Sequence, residues 1–429
     1  MNMKQNLRDG QRVPASYVNE LSAELAEQSA HVEGSVASEA GAHGLRAGPG
    51  YLQRNVDGVW TDLIGKFIPK TVYGVSIDLS NSNPKTCVTY TDDAVGMVPG
   101  TDWLEQPIFN TIRPCLFKEG KVVGYLNPNN FAQFEDGTEA DITSGEAGDV
   151  MIEIPKIGYK IAKAGTTLTV QITNDPAKDG FSYLAHTRDN EGDRDFLYIG
   201  AFLGSGTKSL RSLSEALPRE DNIWAFRSAA QTLGPGYDLL SFYPVTLLQC
   251  LYLVMYKNLN SQAALGMGYV GDFDFTIGKV PTGATIDKGM CSGSSNSLEQ
   301  VKFLGLEDLW GNLDTCIEGL VIGPEGQILV ATGSFTETGE GYTSIGTIPC
   351  LGSMGALSDV LGTTEAGFIA SILAGSTSTG FADYINVSIT TLTTFGGSSV
   401  EGSSAGVFRL TFQRFLDESY NIGSRLMYL

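Results

Sequence analysis

Glycine sets the terms on which this chain can fold. It supplies 52 of 429 residues, and inside a helix or strand each costs roughly 0.5–1 kcal/mol relative to alanine. Serine and threonine are plentiful as well, so short strands joined by turns are favoured over long helices. The length exceeds a usual single core, and two or more structural units are expected. A net charge of −20 with no basic stripe excludes a nucleic-acid groove, because phosphate binding needs clustered Lys and Arg. It also disfavours adhesion to a bare anionic membrane. Acidity keeps a protein soluble, so it says little about any one partner.

The six cysteines, Cys87, Cys115, Cys250, Cys291, Cys316 and Cys350, include no C-x-x-C pair. Close-spaced zinc and thioredoxin-like motifs are therefore absent. Cys250 lies within the apolar run 247–254 and reads as a buried free thiol. All six are expected to be reduced, in a protein assembled in a cytoplasm. The opening residues, Met1-Asn2-Met3-Lys4-Gln5-Asn6, have no apolar core and do not read as a secretory signal. The longest nearly apolar run, 247–256, is too short to span a bilayer, so no membrane insertion is expected.

Along the chain, Val18, Leu21, Leu25 and Val32 form a weak helical seam before the Gly/Ala/Ser-rich stretch 34–50. Residues 1–50 are read as a helical attachment or oligomerisation segment with a linker that ends near Pro49 and Gly50. A surface helix packed on its own domain is the alternative. From Tyr51 the pattern turns strand-like. Residues 72–78 alternate as a half-buried strand should, and 151–156 lead into the alternating stretch 166–172, with Gly165 marking a hairpin inserted at about 150–200. Residues 196–202 read as another strand. Two helices are expected, one opening near Pro218 and closing at Gly234-Pro235-Gly236, the other opening after Pro244 and ending near Asn258. The second is apolar nearly all round and so should be buried.

The C-terminal part carries two glycine-bearing frames. Gly396-Gly397-Ser398 and Gly402-Ser403-Ser404-Ala405-Gly406 precede a mix of aromatics and charges, and Asn421-Ile422-Gly423-Ser424-Arg425-Leu426 follows it. Upstream lie Tyr73-Gly74-Val75, the turn Asp92-Asp93-Ala94-Val95-Gly96, Met151-Ile152-Glu153-Ile154-Pro155-Lys156, Tyr198-Ile199-Gly200-Ala201-Phe202, Asn260-Ser261-Gln262 and Gly305-Leu306-Glu307-Asp308-Leu309-Trp310-Gly311-Asn312. In this order, across roughly 71–429, they resemble the landmarks of phage tail-tip adhesins with a C-type lectin fold. That group includes tropism determinants whose variable residues sit just before the final strand. The Trp310 motif is shared with formylglycine-generating enzymes, whose fold is related. The resemblance implies an α+β fold for 51–429: a C-type lectin-like domain of short strands with two helices and the inserted hairpin. Trp310 would fill a core, Gly311 and Asn312 would permit a turn with positive φ, and Gly423 and Arg425 complete the structural motif.

The same resemblance implies a virion-associated receptor-binding protein, a tail fibre or tail-tip adhesin, whose contact region spans 396–425. Its contact face would be Phe408, Arg409, Thr411, Gln413, Arg414, Phe415, Asp417, Glu418 and Tyr420, joined by Ser398 and Glu401. Rigid aromatics give area at low entropic cost, and arginines pair with acidic groups. Expected partners are a host cell-surface glycan or protein and other virion tail proteins. In the family such domains work as trimers, which multiplies weak affinities. The alternative is a purely structural virion component, a head or tail decoration, with the same fold.

Enzyme chemistry finds little support. Related enzymes oxidise substrate with a cysteine pair near the C-terminus, yet no cysteine follows Cys350. The only histidines are His31, His43 and His186, and no G-x-S-x-G elbow occurs. Gly266-Met267-Gly268-Tyr269-Val270-Gly271 matches G-x-G-x-x-G, with Asp287 beyond it, but it trails a helix instead of joining a strand to one. No cofactor is expected. The loop Asp189-Asn190-Glu191-Gly192-Asp193-Arg194-Asp195 is rich in carboxylates, but Arg188 and Arg194 can neutralise it, so it reads as a solvated charged loop and no metal is assigned. Glu135, Asp136, Glu139, Asp141, Glu146 and Asp149 read as surface. Gln106-Pro107 continues into Ile108, so the triplet of calcium-dependent lectins is missing.

Overall fold

The computed structural model describes residues 70–189, 191–273, 278–389, 392–413 and 421–429, together with the backbone of three earlier strands; Gln413 is likewise described by its backbone alone. Two compact units result, Met1–Pro69 and Lys70–Leu429. In the first, Leu45–Gly48, Tyr51–Val56 and Val59–Ile64 form an antiparallel meander. The strand-like onset at Tyr51 is thus observed, but these strands belong to the first unit, whose end falls beyond Gly50. The helical seam expected around Val18 to Val32 lies outside the described residues.

The second unit is mostly β-sheet with few helices. One four-stranded antiparallel sheet runs in the order Gly158–Ala164, Thr167–Thr173, Val72–Asp78, Val88–Asp92. Its alternation is physical: Val75 and Ile77 are fully buried while Ser76 and Asp78 face outward. Gly165, at φ +61°, makes the turn of the hairpin. Behind this sheet runs helix α2, Phe242–Tyr256, every residue of which is buried. Its Pro244 sits in the first turn, where a missing N–H costs no intrahelical bond. Helix α1, Ile223–Gln231, starts where the Asn222 side chain accepts the Ala225 N–H at 2.9 Å.

The largest sheet has seven strands, ordered Tyr237–Leu239, Leu426–Tyr428, Phe196–Gly200, Asp149–Pro155, Arg113–Lys118, Lys121–Asn127, Asn130–Phe134. The stretch 150–200, read as carrying an inserted hairpin, contributes strands to both of these sheets. Asp149–Pro155 and Phe196–Gly200 lie inside the seven-stranded sheet, and the hairpin between them completes the four-stranded one. The segment is scaffold, because strands distant in sequence need it to pair.

A further four-stranded sheet runs Leu410–Gln413, Leu392–Phe395, Asp314–Ile317, Ile422–Gly423, with only its last pair parallel. The final strand, Leu426–Tyr428, then crosses into the seven-stranded sheet. The strands Leu410–Gln413, Ile422–Gly423 and Leu426–Tyr428 therefore join two sheets.

Candidate functional site

The buried hub that supports both sheets is built from the Trp310 motif. Trp310 is fully buried, and its indole N–H donates to Gly266 O and Met267 O at 3.1 and 3.2 Å. Gly311 and Asn312 take φ of +85° and +62°, and a Cβ on Gly311 would stand 2.8 Å from Tyr269 O. The Asn312 side chain accepts the Val280 N–H at 3.0 Å and donates to Val280 O and to Asp308 Oδ2. Arg425 is also fully buried. Its guanidinium donates to the carbonyls of Gly200 and Ala201 and to those of Glu307 and Asp308. One side chain thus fastens the last segment of the chain to both the seven-stranded sheet and the hub. Burial, with Glu307 beside it, pushes the Asp308 carboxyl far above the usual range, while the bonds from Asn312 and Gln300 work against that rise.

The glycine motif at 266–271 serves the same hub. A Cβ on Gly266 would meet the backbone of Ser294 at 2.6 Å, and one on Gly268 would meet Trp310 O at 2.9 Å. These glycines admit close backbone packing, a role unrelated to phosphate.

Four residues of the expected contact face, Ser398, Phe408, Arg409 and Thr411, are buried, while Glu401 stays partly exposed. Phe408 is fully buried, its ring 5.0 Å from Phe381, 5.2 Å from Phe368 and 5.9 Å from Tyr252. Arg409 is 5% exposed, ion-paired with Glu401 at 2.9 Å and donating to Tyr384 O at 2.9 Å. Thr411 and Ser398 are buried as well. The strand Leu410–Gln413 alternates as a half-exposed strand would, but both its faces are covered: Phe408, Leu410 and Phe412 point into the core, and other segments close over Arg409 and Thr411. The glycine frame makes room for this, since a Cβ on Gly397 would stand 3.0 Å from Arg409 Cδ. Ser398, Phe408, Arg409 and Thr411 thus offer almost no surface to a docking ligand. Arg414, Phe415, Asp417, Glu418 and Tyr420 lie outside the described residues, as does the side chain of Gln413.

A partly exposed aromatic row lies on the seven-stranded sheet, running from the buried Tyr237 through the half-buried Tyr428 and Tyr198. Register places Tyr237 opposite Tyr428, Tyr428 opposite Tyr198, Tyr198 opposite Glu153, and Glu153 opposite Arg113. Directly opposed residues share a face, so these five form one row across five strands. Phe196, two residues before Tyr198, joins the same face and is 42% exposed. Ring centroids are 4.9 Å apart for Tyr237 and Tyr428, and 6.3 Å apart for Phe196 and Tyr198.

Charge is embedded in the row. The buried Glu153 carboxylate accepts hydrogen bonds from Tyr198 Oη at 3.0 Å, from Tyr125 Oη at 3.1 Å and from Arg113 Nη2 at 3.3 Å. The Arg113 guanidinium lies 3.5 Å from the centre of the Tyr125 ring. Burial, then Glu153, pushes the Tyr198 hydroxyl well above its ordinary value, so it remains a donor at every physiological pH.

At its Phe196 end the row opens into a cleft of about 340 Å³ lined by Phe196, Tyr198 and Tyr428 together with Arg188 and Arg194. Gly236 is required there: at φ +93° it passes so near the Tyr428 ring that a Cβ would collide with it. Arg188 Nη1 donates to Leu429 O at 2.7 Å, and Glu191 pairs with both Arg188 and Arg194. A second cleft, of about 330 Å³, has Asp189, Glu340 and Glu365 in its lining and no basic side chain. Of these two clefts, the first combines aromatic surface with both charge signs.

Three of the four carboxylates in the 189–195 loop have side-chain partners, and the arginines named in the sequence serve Glu191. Lys156 holds Asp193 at 2.7 Å, Thr332 Oγ1 donates to Asp189 at 2.8 Å, and Glu191 is held by arginines. Among the described residues no group of three or more His, Cys, Asp or Glu is placed to hold a metal ion. Asp149 departs from the surface reading: it is buried and paired with Arg211 at 2.9 Å. All six cysteines are free, and Cys250 is fully buried. No protein-family model matches the chain, and no curated protein matches it.

Proposed function

We propose that this chain is a virion-associated receptor-binding protein of a tailed bacteriophage, with a C-type lectin-like main unit that holds a host surface glycan or protein. One observation carries the reading: a rigid sheet presents Phe196, Tyr198 and Tyr428 beside Arg188 and Arg194, in a cleft with the composition of a recognition site. The contact surface is accordingly assigned to this sheet, in place of the buried strand Leu410–Gln413. The family resemblance and the Trp310–Arg425 hub support the fold assignment. The proposal includes a homotrimer attached to the tail through the N-terminal unit.

The test is binding of the purified full-length protein to whole cells of a host panel. Selective binding supports the reading, and its absence across a panel containing the true host overturns it. Point substitutions are the proper controls, since deletion from Gly396 onward would strip strands from two sheets.

One observation favours the structural-component alternative. Met354 and Ile372 are 63% and 51% exposed, apolar side chains that contact with another virion protein would cover. A protein that binds no host cell but is retained on virions through Met354 and Ile372 would have this role.

A further inference from the structure

We infer that the cleft beside Phe196 seats one neutral pyranose ring. The inference deepens the receptor-binding reading and rests on it for its biological setting. A pyranose has a face of C–H groups that lies against an aromatic ring and a rim of hydroxyls that both donate and accept. The cleft offers each counterpart. Phe196 gives an exposed ring, with Tyr198 behind it and Tyr428 beside it. Arg188 and Arg194 supply donors, while Glu191 and Asp195 supply carboxylate acceptors.

The charge balance selects among sugars. Two guanidinium groups and two carboxylates line the cleft, so these four side chains cancel. An anionic sugar would have to displace Glu191, which already serves both arginines. A cationic ligand would meet two guanidinium groups. A neutral polyol can bond to all four groups and leave their ion pairs in place.

Size and rigidity point the same way. About 340 Å³ is near the bottom of the range for small-molecule sites, roughly 300–1,000 Å³. That suits a single terminal residue of a glycan rather than a chain lying along a groove. Arg188 is anchored on Leu429 O, and Glu191 pairs with both arginines, which reduces the ordering left for the ligand to impose.

The test is saturation-transfer NMR on the full-length protein with the methyl glycosides of glucose, galactose, mannose and N-acetylglucosamine, and with methyl glucuronide as the anionic arm. At least one neutral glycoside should bind with a dissociation constant on the order of millimolar. Phe196→Ala and Arg194→Ala should each weaken it at least about tenfold, with thermal melting lowered only slightly because each side chain is 42% exposed. The inference is overturned if no neutral glycoside binds, if Phe196→Ala binds as wild type does, or if the glucuronide binds most tightly. Cell binding without glycoside binding would remove the pyranose and keep the receptor-binding reading. Glycoside binding without cell binding would do the reverse.

Discussion

Two aromatic clusters in this molecule share a vocabulary and differ in what surrounds them. Around Phe408, the rings of Tyr252, Phe368 and Phe381 are sealed beneath strands, and the neighbouring Arg409 is spent on Glu401 and Tyr384. Around Tyr198, the rings of Phe196 and Tyr428 line a cleft together with arginines. Aromatic-plus-arginine composition is therefore ambiguous by itself. In the first cluster it fills a core, whereas in the second it leaves surface for a ligand.

Substitutions should separate the two clusters by size of effect. Phe408→Ala should cost about 3–5 kcal/mol of stability, read as a lowered denaturant midpoint, with cell binding lost only in step with folding. Arg425→Met should cost about 3 kcal/mol or more, because it strips the partner from four buried carbonyls. In the open cluster, Tyr198→Phe removes one donor to the buried Glu153 and should cost about 1–3 kcal/mol in the same assay. Phe196→Ala should change stability by no more than about 0.5 kcal/mol.

The closed cluster also has a pH signature. Burial pushes the Asp383 carboxyl, which accepts the Phe408 N–H at 2.6 Å, up to about 8. In the unfolded chain the same group ionises near the ordinary aspartate value of about 3.9. Between those limits the folded state binds more protons, so stability should fall as pH rises from about 4 to about 8. Asp383→Asn keeps an acceptor for Phe408 and should flatten that slope in a series of denaturant titrations. An unchanged slope would mean that Asp383 is ionised in the core.

Much of the scaffold was legible in the sequence. The alternation of 72–78 marks a half-buried strand, the all-round apolar run after Pro244 marks a buried helix, and Gly165 marks a hairpin turn. Trp310, Gly311 and Asn312 have the core and turn roles that their chemistry suggests. The site was not legible, for a definite reason. Alternation tells which residues share a face, but it does not tell which face the rest of the chain covers. Arg409 looks exposed until Glu401 and Tyr384 close over it. The row from Tyr237 to Arg113 exists only because strands at 237, 428, 198, 153 and 113 become neighbours. Phe196 and Tyr198 at adjacent same-face positions of one strand were the available signal, and strand order was needed to use it.

The most direct test of the central claim, that recognition belongs to the sheet and not to the buried strand, is whole-cell binding by Phe196→Ala beside wild type. The account predicts at least about tenfold weaker binding, a loss of some 1.4 kcal/mol, from a protein that melts only slightly below wild type. Equal binding by the two proteins would contradict it and return the contact surface to another part of the chain.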